Sequence, residues 1–423
     1  MLKNFPKNSR ITITLEPYSS VMACVLTFYA ALYMQANGLS AKQIGLIGTI
    51  GAATGLMLQF TAAPITNTLG RRRTLTLFSL ICWSIPLLLW SMASGFAVFL
   101  AAAVFFSFSK ITGVAWYCVL TEDVDNDKKS HLFGIVMIIA SIGGVATVFT
   151  GPVIDKFGLV PSLRFLYAFA FVSMTLMFVV RHLLLTETHA GAALNDLHGK
   201  LTIFQSFSRY WQVVHLNLRN MEFLRLIIVF ALFNFAVSMG FVQILFINNV
   251  LKLTMTELSI IPAVGAAVSF ILFRYMVPRL SGRNEMQTLG LALAIFAVGT
   301  FFILLIPAKN LWLTLLASAL TAAGTYLFQV FINAAMNNRM GLLHKADIWS
   351  AIQILVSLAI IPAGYVAGGA FDLNPKLPIL IIGLIAAAAA VLTLLPLKMK
   401  ALTIEKTGNE LTETGLPDTL STS

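Results

Sequence analysis

Charge is scarce in this sequence: Asp, Glu, Lys and Arg together make up 11% of its residues, where water-soluble domains carry about 25%. With 58% hydrophobic residues and a mean hydropathy of +0.87, that shortage excludes a soluble globular domain and indicates an integral membrane protein. Cysteine is nearly missing as well. Cys24, Cys82 and Cys118 sit inside apolar runs, with neither metal-ligand spacing nor the even count of a disulfide framework, so they read as small packing residues. There is no phosphate-cradling glycine loop, no metal-ligand cluster and no nucleophile-base-acid set. These absences argue against an enzyme and against ATP-driven transport, and they imply neither cofactor nor metal. The net charge of +11 raises nucleic acid as a partner, but the basic residues lie between apolar segments rather than along one face. A positive-inside bias accounts for them better, with the lipid bilayer as partner and no nucleic acid.

What is present is a series of apolar runs about 20 residues long, each enough to cross a hydrocarbon core of about 30 Å. Twelve spans follow, at 12–36, 43–67, 73–93, 96–120, 132–155, 161–185, 221–249, 257–280, 286–307, 310–335, 347–371 and 376–397. No segment alternates like a barrel strand, so all twelve are helices. Lys3, Lys7 and Arg10 ahead of the first run resemble a signal peptide, but the run continues through Met34. That is too long for an h-region and reads as an uncleaved first span.

The chain is also a duplication. The stretch Leu39 to Arg73 returns as Leu253 to Arg283: Leu39 matches Leu253, Gly51-Ala52-Ala53 matches Gly265-Ala266-Ala267, and Pro64 matches Pro278, all 214 residues apart. A second echo links spans five and eleven, where Gly151 and Gly368 each precede an aspartate, Asp155 and Asp372, by four residues. The fold class is therefore all-α, with twelve membrane helices in two pseudo-symmetric six-helix bundles. The expected units are 1–185, a central connection 186–220, 221–399 and a tail 400–423. In the connection, Phe204, Phe207, Trp211, Val214 and Leu218 recur at helical spacing, the pattern of an amphipathic surface helix. The tail, rich in Thr, Ser, Gly and Glu, reads as disordered. Lys and Arg collect on one side of the spans, with Arg71, Arg72 and Arg73 the densest cluster, which places both termini and the central connection in the cytoplasm of a cell bearing this protein in its cytoplasmic membrane.

Two six-span halves, a long central connection and basic turns after spans two and eight resemble the major facilitator superfamily. Its signature after span two is Gly-x-x-x-Asp-Arg-x-Gly-Arg-Arg, against Ala63-Pro64-Ile65-Thr66-Asn67-Thr68-Leu69-Gly70-Arg71-Arg72 here. Gly70, Arg71 and Arg72 match; the first glycine, the aspartate and the first arginine are Ala63, Asn67 and Thr68. The resemblance implies that Asn67, Gly70, Arg71, Arg72 and Arg73, with Gly282 and Arg283 in the second half, form a conformational motif. Asn67 can keep a hydrogen bond there but not the family's charge pair. Lys110 and Gly113 resemble a second pattern of the family, on span four. The implied protein is similar to bacterial secondary transporters, acting as a monomer.

Ionised groups inside a span cost roughly 3 kcal/mol on insertion scales unless paired or hydrated, so they are the sharpest site candidates. Lys110 lies about 18 Å deep, and its charge requires a cavity, an anionic ligand or an acidic neighbour. Glu16 is the carboxylate placed inside a first-half span, about 9 Å away in depth, and Pro17 after it can open the backbone. Arg274 is close enough to its helix end to snorkel. Span seven offers Asn234, Gln243 and Asn248, and span eleven Gln353. On span ten Tyr326, Gln329 and Asn333 form a polar and aromatic stripe at helical spacing; Trp116 and Tyr117 can add a stacking surface or face lipid. The acidic loop Glu122-Asp-Val-Asp-Asn-Asp-Lys-Lys129 lacks the glycine and glutamate of a calcium loop and reads as a solvated turn.

Three functions compete. The first is gradient-driven movement of a small polar solute, sugar-like or carboxylate-like, coupled to protons through a central site. The second is efflux of lipophilic compounds in exchange for ions. The third is a transport-inactive sensor or assembly partner. The polar stripe and Lys110 favour the first. Gly143, Gly144 and Gly151-Pro152 do not keep the exporter spacing on span five.

Overall fold

The computed structural model describes residues 5–189, 191–192, 221–280, 283–339 and 345–395. The expected surface helix from Phe204 to Leu218, the tail 400–423 and Gly282 lie outside the described residues. Twelve helices are long and apolar enough to cross a membrane. They are α1 (Lys7–Phe28), α2 (Ala41–Leu69), α3 (Arg71–Ser91), α4 (Phe96–Thr121), α5 (Ile138–Phe157), α6 (Leu159–Leu184), α7 (Met221–Asn249), α8 (Met255–Leu280), α9 (Glu285–Ile303), α10 (Leu311–Met336), α11 (Ile352–Leu373) and α12 (Lys376–Leu394). Pro17 does not interrupt α1; the helix continues to Phe28 and breaks at Tyr29 before resuming as Ala30–Ala36. Backbone opening beside Glu16 is thus not observed.

The first six helices pack on one another, as do the last six. Each half owns an aromatic core. In the first, Tyr33 donates to the Trp90 carbonyl at 2.8 Å and sits among Phe99 and Tyr167, edge-on or tilted as ring quadrupoles prefer. In the second, Phe233 lies 4.0 Å from Phe328 and 5.6 Å from Phe296, centroid to centroid. Between the halves, α2 packs on α11, α5 on α8, and the Ala30–Ala36 segment on the end of α7.

The duplication reappears in the helix starts. Ser40 caps α2 in a box with Gln43, and Thr254 caps α8 in a box with Glu257, 214 residues on. A capping box satisfies the amides of the N-cap and N3 positions and leaves those of N1 and N2 bare.

Candidate transport pathway

Those two bare amides are met from the other half. Asp372 of α11 accepts from Ala41 N and Lys42 N, both at 3.1 Å. Asp155 of α5 accepts from Met255 N at 3.0 Å and from Thr256 N at 2.8 Å, with the Thr256 hydroxyl added. Each carboxylate sits where the helix macrodipole favours negative charge. One turn before each aspartate stands the glycine of the sequence echo. A Cβ on Gly368 would collide with the Ala41 carbonyl, and one on Gly151 with Met255, Thr256 and Ser259. Gly45 and Gly364 meet backbone to backbone, each lacking room for a methyl group. Tyr365 N donates to Thr49 Oγ1 at 3.1 Å, Thr147 Oγ1 to the Ser259 carbonyl at 3.0 Å, and Asn249 Nδ2 to Gln35 Oε1 at 3.2 Å. These contacts join the halves at the end opposite the Arg71 to Arg73 turn, hereafter the basic end.

The interior stripes come from α4 and α10. On α4, Ser107 bonds the Gly51 carbonyl of α2 at 2.8 Å, Trp116 reaches α1, and Ala115 and Val119 pack with Leu75 of α3. The face left between α1 and α2, opposite α3, carries Phe106, Lys110, Gly113 and Tyr117, all exposed. The Lys110 stem lies over Gly55, with Cε 3.4 Å from where a Cβ would stand. On α10, Gly324 and Phe328 pack against α9 and α7. Tyr326 and Gln329, partly exposed, and Asn333, exposed, lie around the opposite side of the helix. Gln243 is partly exposed. Asn234 turns inward on its own helix, Nδ2 donating to the Phe230 carbonyl at 2.8 Å. Arg274 is exposed beside Tyr275, 5.5 Å from the ring centroid, as snorkelling requires.

Glu16 and Lys110 do not form a pair. Glu16 Oε2 accepts from Trp116 Nε1 at 3.1 Å. Trp116 and Lys110 lie about a third of a turn apart around α4, which turns Lys110 away from α1. Arg181 is buried; it donates through Nη2 to Ser79 Oγ at 2.9 Å, lies over the Phe178 ring, and keeps Nε without an acceptor. The sequence reading passed over it because, three residues from the end of α6, it resembles any basic residue at a span end. Its signal is that an apolar helix carries a guanidinium on the same face as Phe178.

At the basic end, Gly70 holds φ +83°, a left-handed value that suits glycine, and lets α3 start directly after α2. Arg71, 4% exposed, donates to Glu122 at 3.2 Å, to Asn67 Oδ1 at 2.9 Å and to the Thr66 carbonyl at 3.3 Å. Asn67 thus keeps a hydrogen bond, while the charge partner is Glu122. The expectation that the Glu122 loop is merely solvated is corrected for its first two residues: Glu122 ends α4 against α3, and Asp123 accepts from His189 N at 3.2 Å and from Asn8 Nδ2 at 3.5 Å. Thr188 donates to the same carboxylate, and Glu187 accepts from Arg71 N and Arg72 N at 2.9 and 3.2 Å. Arg73 and Arg283 are exposed.

A family model described as Major Facilitator Superfamily matches residues 18–364. No curated protein gives a significant match. Among solved structures, the chain resembles a nucleoside transporter, NupG, with a TM-score of 0.70 at 13% identity, covering 91% of this chain and 98% of that one. It resembles a POT family transporter in complex with 5-aminolevulinic acid at 0.68 and 13%, covering 93% and 97%. It also resembles a peptide transporter, POT, in complex with sulfate at 0.67 and 14%, covering 92% and 93%. At these identities the likeness is one of fold.

Proposed function

The chain belongs to the Major Facilitator Superfamily and is a multi-pass membrane transporter; from that premise we propose that it moves a small polar solute, sugar-like or carboxylate-like, by alternating access driven by a proton gradient. The observation that carries this reading is the pairing of two polar interior faces. Lys110 and Tyr117 on α4 and Asn333 on α10 stand exposed, and Tyr326 and Gln329 partly so, within spans whose halves close on each other at the far end. An exposed lysine mid-span is tolerated where water or an anionic group reaches it, so the pathway opens toward the basic end. Glu16, half-buried with Trp116 as donor, is the proton-carrying group of this reading. Efflux of lipophilic compounds fits less well, because a charge and two amides, Lys110, Gln329 and Asn333, stand on the interior faces beside Phe106 and Tyr117.

A panel of carboxylates, sugars and amino acids is first screened for thermal stabilisation of the purified protein, since a ligand of the native state raises its stability by mass action. Uptake of the best solute is then measured in proteoliposomes. Lys110→Gln is expected to melt like the wild type, because Lys110 makes no ion pair among the described residues, yet to lose accumulation several-fold. Wild-type accumulation in that variant overturns the assignment of Lys110.

In this reading the basic end faces the cytoplasm, as the Lys and Arg asymmetry directs. Reporter fusions at Lys200 and after Lys400 should be active only for a cytoplasmic reporter. Activity of an exported reporter at either site contradicts the orientation.

A further inference from the structure

At the basic end a cavity of about 320 Å³ opens among α2, α3 and α6, lined by Leu69, Arg72, Arg73, His182 and Glu187. Its cations are only partly used. Arg72 spends Nε on the His182 carbonyl, at 2.9 Å. The rest of its guanidinium and the whole of Arg73's make no hydrogen bond among the described residues. Glu187 brings the opposite charge, but both its oxygens are turned onto the first amides of α3, where a carboxylate offsets the helix N-terminus. The charged groups left facing the cavity are therefore guanidinium donors, beside a His182 whose Nδ1 is held by Thr76. They suit a phosphate, whose oxygens accept from guanidinium in a fixed fork.

The helices beside the cavity say where such a phosphate comes from. α3 and α6 run antiparallel and touch along one seam: Thr76 with His182 Nδ1 at 2.9 Å, Ser79 with Arg181 at 2.9 Å and Ser84 with Thr175 at 2.7 Å. One position beyond the seam contacts of Arg72 and Thr76 come Arg73 and Leu77. One beyond Thr175 and His182 come Leu176 and Leu183. Because the helices are antiparallel, a step forward along each rotates to the same side of the seam. Leu77 is 48% exposed, Leu176 63% and Leu183 72%. An apolar groove thus runs from the cavity into the span, with Arg73 at its mouth. A free anion has no use for that groove, whereas a phospholipid fills both parts. Basic pockets between membrane helices bind anionic headgroups in this manner.

We propose that this cavity and groove form a binding site for an anionic phospholipid from the leaflet at the basic end, its phosphate on Arg72 and Arg73 and one acyl chain along Leu77, Leu176 and Leu183. The lipid ties the α2–α3 turn to α6, and so adds to the stability of the first half.

The test uses the full-length purified protein, with phosphatidylglycerol, phosphatidylcholine of the same chains, and inorganic phosphate at matched ionic strength as probes. Retained lipid is counted by native mass spectrometry and melting is followed in detergent. Phosphatidylglycerol is expected to remain bound and to raise the melting temperature, while phosphatidylcholine and phosphate do neither. Arg73→Gln, which breaks no hydrogen bond among the described residues, should weaken phosphatidylglycerol binding by about fivefold, the effect of about 1 kcal/mol per basic residue near a headgroup. Arg73→Lys should keep most of the binding, and Leu183→Glu should lose it. Equal stabilisation by phosphatidylcholine overturns the proposal. So does stabilisation by phosphate alone, which marks a free-anion site, or undiminished phosphatidylglycerol binding in Arg73→Gln.

Discussion

Gly364→Leu is expected to prevent the halves from closing at the end opposite the basic turn. The new side chain would start less than 3.0 Å from the Gly45 carbonyl oxygen, and backbone cannot rotate out of the way as a side-chain tip can. Overpacking of this kind costs about 1–3 kcal/mol, and every 1.4 kcal/mol is tenfold in a population. The closed state should therefore lose between several-fold and about 100-fold in occupancy relative to one open at that end. A reporter cysteine at Gly48, where a Cβ meets nothing within 4 Å, in a chain whose three native cysteines are replaced, reads this directly. A membrane-impermeant maleimide applied from that face should label Gly48→Cys faster, by the same factor, once Gly364→Leu is added. An unchanged rate shows that the α2–α11 approach does not control closure. Asp372→Ala should act in the same direction but more weakly, since it removes hydrogen bonds that water can replace.

Glu122→Gln is expected to cause the largest loss of stability among substitutions at the basic turn. Arg71 is buried at 4% exposure and would keep only neutral acceptors, Asn67, Thr66 and the new amide oxygen at position 122, in place of its carboxylate. Removing one partner of a buried ion pair costs 3–5 kcal/mol in general. Glu122 retains 19% exposure, which puts the expected loss at the lower end, about 3 kcal/mol. Thermal denaturation in detergent measures it, and Arg71→Leu with Glu122→Leu should recover much of the loss because no charge is then stranded. If Glu122→Gln melts like the wild type, the pair does not hold α3 to α4.

The sequence made the architecture legible because membrane crossing imposes a coarse rule, about 20 apolar residues per span, that twelve runs satisfy. The echo of Gly151 and Asp155 in Gly368 and Asp372 was also visible, though not its purpose. Nothing local marks an aspartate as the acceptor for amides 331 residues away. Side-chain partners were the hardest to read. Lys110 and Glu16 looked like a pair when only depth could be compared, but the rotation of α4 separates them and brings Trp116 to Glu16 instead. Arg181 was hidden by its nearness to a helix end, and Glu122 by the acidic loop that follows it, although burial changes the chemistry of both.

The reciprocal caps have a consequence for the order in which the chain is made. The acceptor for the α8 amides, Asp155, precedes them by 100 residues, so that joint can form as soon as α8 is inserted. The amides of α2 wait for Asp372, 331 residues after Ala41. At 5–20 residues per second of synthesis, the wait is roughly 15 to 65 seconds. The nascent first half therefore spends most of translation with its Ser40 box formed but the Ala41 and Lys42 amides of α2 unmet by protein, and it is the arrival of the eleventh helix that completes the second one.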